Sequence, residues 1–173
     1  MIQRPVILFI ATSLDGFIAR TDGGIDWLFT DQDYGYREFF SCVDTVVMGR
    51  KTYAASLAFG EYPYPGRASY VFSRTRKGQQ DDNARFIAPD PAEFIAGLKS
   101  KPGKHIWLVG GSELIQSFVQ ADLIDEYVIS INPIILGSGI PLFRMPLPTQ
   151  KLIYRDCTTF DTGLVQVTYS RRR

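Results

Sequence analysis

The sequence predicts an α/β domain with a mixed, mostly parallel central sheet, an antiparallel C-terminal edge and helices on both faces. Three features of the 173-residue chain predict it. Several strand-length runs are apolar throughout, as expected of strands covered on both sides. Helical patterns separate the earlier runs, the rhythm of parallel βαβ units. The last runs follow one another with no helical pattern between them, which suits antiparallel neighbours.

Taken in order, the first strand is read at residues 6–12, "VILFIAT". In "DYGYREFFSCV", Tyr36, Phe39, Phe40 and Val43 fall near helical spacing. The run "TVVM" at 45–48 is β-branched and apolar, and Gly49 ends it before a helix, "RKTYAASLA". Residues 69–73 and 85–87 read as short strands. "PAEFIAGLKS" opens behind Asp90 with Pro91 in its first turn, a favoured helix start. A strand at 105–109 leads into "SELIQSFVQ", whose Leu114, Ile115, Phe118 and Val119 form one stripe. Strands at 127–135, 152–157 and 164–169 complete the antiparallel edge. No repeat or linker interrupts this order; "EYPYPG" reads as a surface loop, and residues 1–173 are expected to form one domain.

Composition narrows the function. Lys plus Arg is 19 and Asp plus Glu is 18, a net charge of +1 that gives no case for nucleic acid or a membrane surface. Arg171, Arg172 and Arg173 are expected to form a solvated tail. Cys42 and Cys157 lie far apart without a CxxC partner, so reduced cytoplasmic thiols are the expectation. His105 is the single histidine, which leaves little material for a metal site or a Ser-His-Asp triad. "VILFIA" is too short to span a bilayer and lacks a cleavage signature.

Three strand ends carry the chemistry. Behind Gly49, Arg50, Lys51 and Thr52 open a helix, whose unpaired N–H groups and positive dipole end attract phosphate. Cations in a first turn oppose the dipole unless an anion is present; the alternative is a solvated helix start. "HIWLVGGSELIQSF" repeats the pattern, with Gly110–Gly111 before Ser112, although Glu113 would repel a nearby phosphate. The third end, "VFSRT", closes on Ser73, Arg74 and Thr75, and arginine can grip phosphate in a bidentate way. Ligands of open α/β sheets sit at strand carboxyl ends, so one molecule bearing several phosphates would suit all three. Neither a G-x-G-x-x-G fingerprint nor a P-loop is present.

Together, "IATSLDGFIA", "MGRKTY", "PGRASYVFSRT" and "WLVGGSEL" resemble the dihydrofolate reductase superfamily. "DEYVISINPIILGSGIPLF" is most like the branch of the riboflavin-pathway pyrimidine reductase, the reductase half of bacterial deaminase–reductases. The resemblance covers nearly the whole chain in order. It implies a three-layer dihydrofolate reductase-like fold and an NADP-dependent oxidoreductase, similar to 5-amino-6-(5-phosphoribosylamino)uracil reductase. It places NADPH along the strand ends. Arg50, Lys51 and Arg74 would surround the 2′-phosphate, with Gly49, Thr52, Ser73 and Thr75 along the adenosine and pyrophosphate. Val109, Gly110, Gly111, Ser112, Glu113 and Leu114 would hold the pyrophosphate and nicotinamide ribose, the two glycines joined by a cis peptide. Ala11 and Ile18 match positions that meet the nicotinamide amide.

On the substrate side, Asp33 matches the buried acid that relays a proton in dihydrofolate reductases, the alternative being a helix cap. Trp27 is a candidate for stacking on a flat ring, beside Tyr34. Asp15, in "SLDGFIA", is a further candidate, its alternative being turn chemistry. Arg67 matches an arginine that clasps folate's glutamate tail; a phosphoribosyl group or the loop itself are its other uses. Two departures argue against folate reduction: Ile129 stands where folate enzymes carry threonine, and Ala19 replaces a loop glycine. No zinc deaminase signature accompanies the chain. Three readings stay open: a reductase of a flat heterocycle, either a pyrimidine phosphate precursor or a pterin; a nucleotide-binding module without catalysis; an enzyme on another carbonyl or imine. A small heterocyclic substrate, no nucleic acid, no membrane, no metal and a homodimer are expected. "INPIILGSGIPLF" is either partly interfacial or core.

Overall fold

The computed structural model describes residues 4–172. Chain order begins β1 (Val6–Ser13), β2 (Phe17–Ala19), α1 (Tyr36–Ser41), β3 (Val43–Gly49), α2 (Arg50–Leu57) and β4 (Ala68–Phe72). It continues through β5 (Arg85–Ile87), α3 (Pro91–Lys99), β6 (His105–Gly110), α4 (Ser112–Gln120) and β7 (Glu126–Asn132). It ends with β8 (Ile140–Pro141), β9 (Leu152–Thr159) and β10 (Val165–Arg171). Eight strands form one sheet in the order β5-β4-β3-β6-β1-β7-β10-β9. The first six of that order are mutually parallel, and β10 and β9 pair antiparallel at the C-terminal edge. β2 and β8 make a separate antiparallel pair.

Period-two alternation sends each central strand's side chains into two cores. Val47, Ile106 and Leu108 meet Ile115 and Phe118 of α4 and Ile95 of α3. Val46, Met48 and Trp107 meet Tyr53 of α2, with Tyr36, Phe39 and Phe40 of α1 packed against them. This is the three-layer architecture the resemblance implies. Asp90 caps α3 by accepting from the N–H groups of Ala92 and Glu93, which satisfies donors the helix itself leaves unpaired. Phe118 is fully buried, and truncating it to alanine would cost about 3–5 kcal/mol.

Four local expectations are corrected. The strand expected at 127–135 stops at Asn132, because Pro133 has no N–H for the ladder. The first helix starts at Tyr36, one turn later than Asp33, behind Gly35 at φ 78°. β2 and β8 went unread because three and two residues are too short to show a period. Arg171 is no tail residue: it lies in β10 and ion-pairs with Asp122 and Asp125, both at 3.1 Å. Arg173 lies outside the described residues. Among the described residues no helix is long and apolar enough to cross a membrane.

Candidate functional site

Because β4, β3 and β6 are parallel neighbours, their carboxyl ends lie side by side on one sheet edge. Gly49 pairs with Phe72, and Met48 with Gly110. The turns at 73–75, 49–52 and 110–112 are therefore contiguous. A Cβ on Gly111 would come within 3.2 Å of Thr52 Oγ1, tighter than an ordinary contact, whereas one on Gly49 would meet Gly110 O and Gly111 N at an ordinary 3.8 Å. Glycine at 111 therefore lets its turn approach Thr52 closely. Gly110 adopts φ 129°, and the Gly110–Gly111 peptide is cis, as the resemblance implies.

The edge is rich in unclaimed donors. No side chain caps α2 and its first turn carries no acid, while Arg50 and Lys51 are exposed. Exposed Arg74 sits in a turn shaped by Ser73, whose buried Oγ accepts from Arg76 N at 3.2 Å and lies 3.4 Å from Thr75 Oγ1. No side chain caps α4 either. Glu113 in its first turn pairs with Arg144 at 2.7 Å, which answers the repulsion its charge would cause. Ser112 is buried and donates to Pro141 O. Leu114 is core, and Val109 packs against the second core cluster. Backbone donors, cations and a glycine cradle fit an extended polyanion such as a dinucleotide.

Beside the carboxyl ends of β1 and β7 opens a cavity of about 580 Å³. Phe9 and Ala11 of β1 and Ser130 and Asn132 of β7 form its floor, with Ala11 paired to Ser130. The 28–37 segment forms its wall. Asp33 stands in that wall with its side chain 39% exposed, not buried. Both its oxygens lie 3.2 Å from Arg37 N, and Arg37 Nε is 3.5 Å from Oδ1. Asp33 thus accepts from a first-turn N–H of α1 from outside the helix, whose cap is Gly35, and lines the cavity at once. The Tyr34 hydroxyl bonds to Asp31 Oδ1 at 2.6 Å and Thr162 Oγ1 at 3.0 Å, and its ring stacks on Phe29. Burial first, then Tyr64 beside it, pushes the Tyr36 hydroxyl up to about 12, so this cavity residue stays protonated at neutral pH.

Other expected residues lie elsewhere. Trp27 is buried and outside the cavity lining, its Nε1 without a partner; Leu28 and Phe29 line the wall in its place. Asp15 holds loop backbone: its carboxylate accepts from Ser13 Oγ at 2.7 Å, Leu136 N at 3.1 Å and Gly137 N at 2.7 Å. The Ser13 hydroxyl, followed by those amides, outweighs desolvation and lowers its pKa. Arg67 precedes β4, at the opposite end of that strand from the cradle. It donates to Phe40 O at 3.1 Å, and its guanidinium lies 4.2 Å above the Phe40 ring. Ile18 packs on the first core cluster, whereas Ala11 opens onto the cavity.

The strand that carries Ile129, the position compared with the folate enzymes' threonine, presents a different residue to the cavity. Ile129 faces the first core cluster, and Ser130 is the residue that faces the cavity, because adjacent strand residues point to opposite sides. Ser130 and Asn132 were missed, although two polar residues at i and i+2 in the apolar run "YVISIN" are a sign of a strand face that meets something polar.

Comparison with known proteins agrees with this geometry. The family model "RibD C-terminal domain" matches residues 4–166. The uncharacterized protein YwjB of Bacillus subtilis (strain 168) is 40% identical over 173 residues, covering 98% of this chain and 99% of that protein. A Shewanella sp. PV-4 structure assigned to riboflavin biosynthesis superposes with TM-score 0.88 at 34% identity, over 98% of this chain and 99% of that one. Dihydrofolate reductase from Enterococcus faecalis, complexed with NADP(H), shares the fold at TM-score 0.74 and 17% identity, over 99% of this chain and 98% of that one. A Thermotoga maritima deaminase/reductase shares it at TM-score 0.75 and 15% identity, over 98% of this chain and 57% of that one. A dihydrofolate reductase-like sheet whose strand ends form a glycine cradle beside an aromatic cavity, matched over 4–166, makes this chain a member of the RibD C-terminal domain family.

Proposed function

We propose that this chain is an NADPH-dependent reductase of a flat, nitrogen-bearing heterocycle, similar to the riboflavin-pathway reductases. The observation that carries the reading is the contiguity of the β4, β3 and β6 ends beside the cavity that Asp33 lines. Arg50, Lys51 and Arg74 hold the 2′-phosphate, and the turns at Thr52, Ser73, Thr75 and Gly110–Ser112 bind the rest of the dinucleotide. NADPH, when bound, supplies a hydride to a C=N or C=O carbon. Asp33 passes a solvent proton to the heteroatom of that bond, so hydride and proton together saturate it. Phe29, Tyr34 and Tyr36 orient the ring through their aromatic faces. The substrate is either a phosphorylated aminopyrimidine, the kind that the Thermotoga maritima enzyme's name gives, or a pterin. A homodimer accompanies this reading.

Titrating the protein with NADPH and with NADH, read by nicotinamide fluorescence, tests it. Arg74→Ala should weaken NADPH about tenfold or more, the size of a lost charge-assisted bond, and leave NADH nearly unchanged. Equal weakening of both would remove the 2′-phosphate assignment, and no binding of either would remove the reductase.

A further inference from the structure

We propose that Tyr53 and Asp81 are positioning residues for the 2′-phosphate clamp: through them α2 holds the 73–84 loop, and with it Arg74, in place beside Arg50 and Lys51. This rests on the reductase reading and deepens it, because it assigns the preference for NADPH over NADH to two side chains outside the clamp itself.

Tyr53 follows Thr52 in the first turn of α2 and is 2% exposed. Its ring meets Phe86 of β5 edge-on, with centroids 5.4 Å apart. Its hydroxyl donates to the Asp81 carboxylate, 2.9 Å from Oδ1 and 2.8 Å from Oδ2. Burial first, then this hydrogen bond, pushes the hydroxyl up to about 12, so it keeps the proton it donates at neutral pH. The same carboxylate accepts from Asn83 N at 3.1 Å and Ala84 N at 2.9 Å, which folds the loop around it. Arg76 Nη2 lies 3.9 Å from Oδ2. One carboxylate thus joins α2 to the loop that carries Arg74.

Arg76 looks like one more phosphate ligand in "SRTRK", but its guanidinium is committed to the loop. It lies 3.6 Å over the Phe86 ring, and its Nε donates to Gln79 Oε1 at 2.8 Å. Its backbone N–H donates to Ser73 Oγ at 3.2 Å, which closes the turn that bears Arg74. Gly78 N donates to Phe86 O at 2.9 Å, and Phe86 N to Gln79 O at 2.8 Å. Among the described residues no carboxylate pairs with Arg50, Lys51 or Arg74, which leaves all three to a phosphate. Tyr53 anchors α2 in the second core cluster, whereas most of 74–83 is exposed. The loop is therefore the part that wanders when the link is cut. A clamp held in place beforehand has less freedom to lose on binding, and only a ligand with a 2′-phosphate uses this clamp.

Fluorescence titration of the full chain and its variants with NADPH and with NADH tests this. Tyr53→Phe removes the hydroxyl and keeps the ring. It should weaken NADPH about threefold or more, the scale of ordering one long side chain on binding, and leave NADH nearly unchanged. Asp81→Ala should do the same. Asp81→Asn, whose oxygen still accepts from Tyr53 and the two amides, should keep most of the preference. In an Arg74→Ala background Tyr53→Phe should weaken NADPH no further, because both substitutions act on one contact. A purely structural role would lower the melting temperature and leave the ratio of the two affinities as it was. Should Asp81→Ala fail to fold, Tyr53→Phe decides. An unchanged ratio in Tyr53→Phe, or a loss that persists in full without Arg74, overturns the proposal and leaves the reductase reading standing. Equal binding of NADPH and NADH by the unaltered chain removes the clamp and this proposal with it, and no binding of either removes the reductase as well.

Discussion

Among the described residues, Lys99 Nζ at 2.5 Å and Arg171 Nη2 at 3.1 Å meet the Asp125 carboxylate, whose side chain is only 11% exposed. Burial raises the pKa of this acid; the Lys99 hydrogen bond, the Val6 N–H and the two positive charges together lower it by more. The folded pKa thus lies below the unfolded value of about 3.9. Its stabilisation is therefore complete above about pH 4 and lost as pH falls through the folded value. Urea unfolding between about pH 2 and 4 should show a steeper loss of stability in the wild type than in Asp125→Asn. Parallel slopes would show that another acid controls the transition. At neutral pH, Asp125→Ala leaves Lys99 and Arg171 without this partner and should cost about 3 kcal/mol, or roughly 6–12 °C in Tm.

Among the elements, α1 separates two roles that one side chain plays. Asp33 accepts from Arg37 N in the first turn and also stands in the cavity wall. An asparagine oxygen can accept the same N–H, whereas alanine loses this hydrogen bond, at a cost of about 1 kcal/mol. Asp33→Asn should keep the melting temperature and lose most turnover of NADPH with a reducible heterocycle; Asp33→Ala should lose both. Full turnover in the asparagine variant would move the proton source elsewhere. The small β2–β8 sheet depends on one close approach. A Cβ on Gly139 would overlap the Ala19 carbonyl oxygen, a backbone atom that cannot swing away. Gly139→Ala should therefore lower stability by about 1–3 kcal/mol in chemical denaturation, and a neutral result would mean that the 137–141 loop yields freely.

For the whole molecule, the two sheet edges differ. β5 is three residues long, too short to invite pairing. β9 runs eight residues, all exposed, with Leu152 and Ile153 at 39% and Tyr154 at 59%. Its first three residues form a short apolar stretch on an open edge, which can attract a second chain, ahead of the charged Arg155 and Asp156. The homodimer expected from the resemblance would use this start of β9; in the 131–143 stretch Asn132 and Leu142 are buried, whereas Ile135 is 69% exposed and available to a partner. Sedimentation should give a dimer mass at micromolar protein, and Ile153→Lys with Tyr154→Lys should give a monomer. A dimer that survives the double substitution would place the interface elsewhere.

The sequence by itself determined the layers and the cradle, because both are written locally. The β-branched, mostly apolar "TVVM" suits a strand covered on two sides, and the glycine followed by cations marks its end. The cavity was less legible. Asp33 and Tyr34 were found by counting, but Ser130, Asn132 and Phe9 gained their place only when β1 paired with β7 and period-two alternation turned them to one side. Arg67 and Asp15 look alike in sequence to ligand-binding residues. Only folding brings Phe40 under one and the 136–137 amides to the other, because those partners lie 27 and over 120 residues away in the chain. Local pattern fixes what a segment is; long-range pairing fixes what its side chains face.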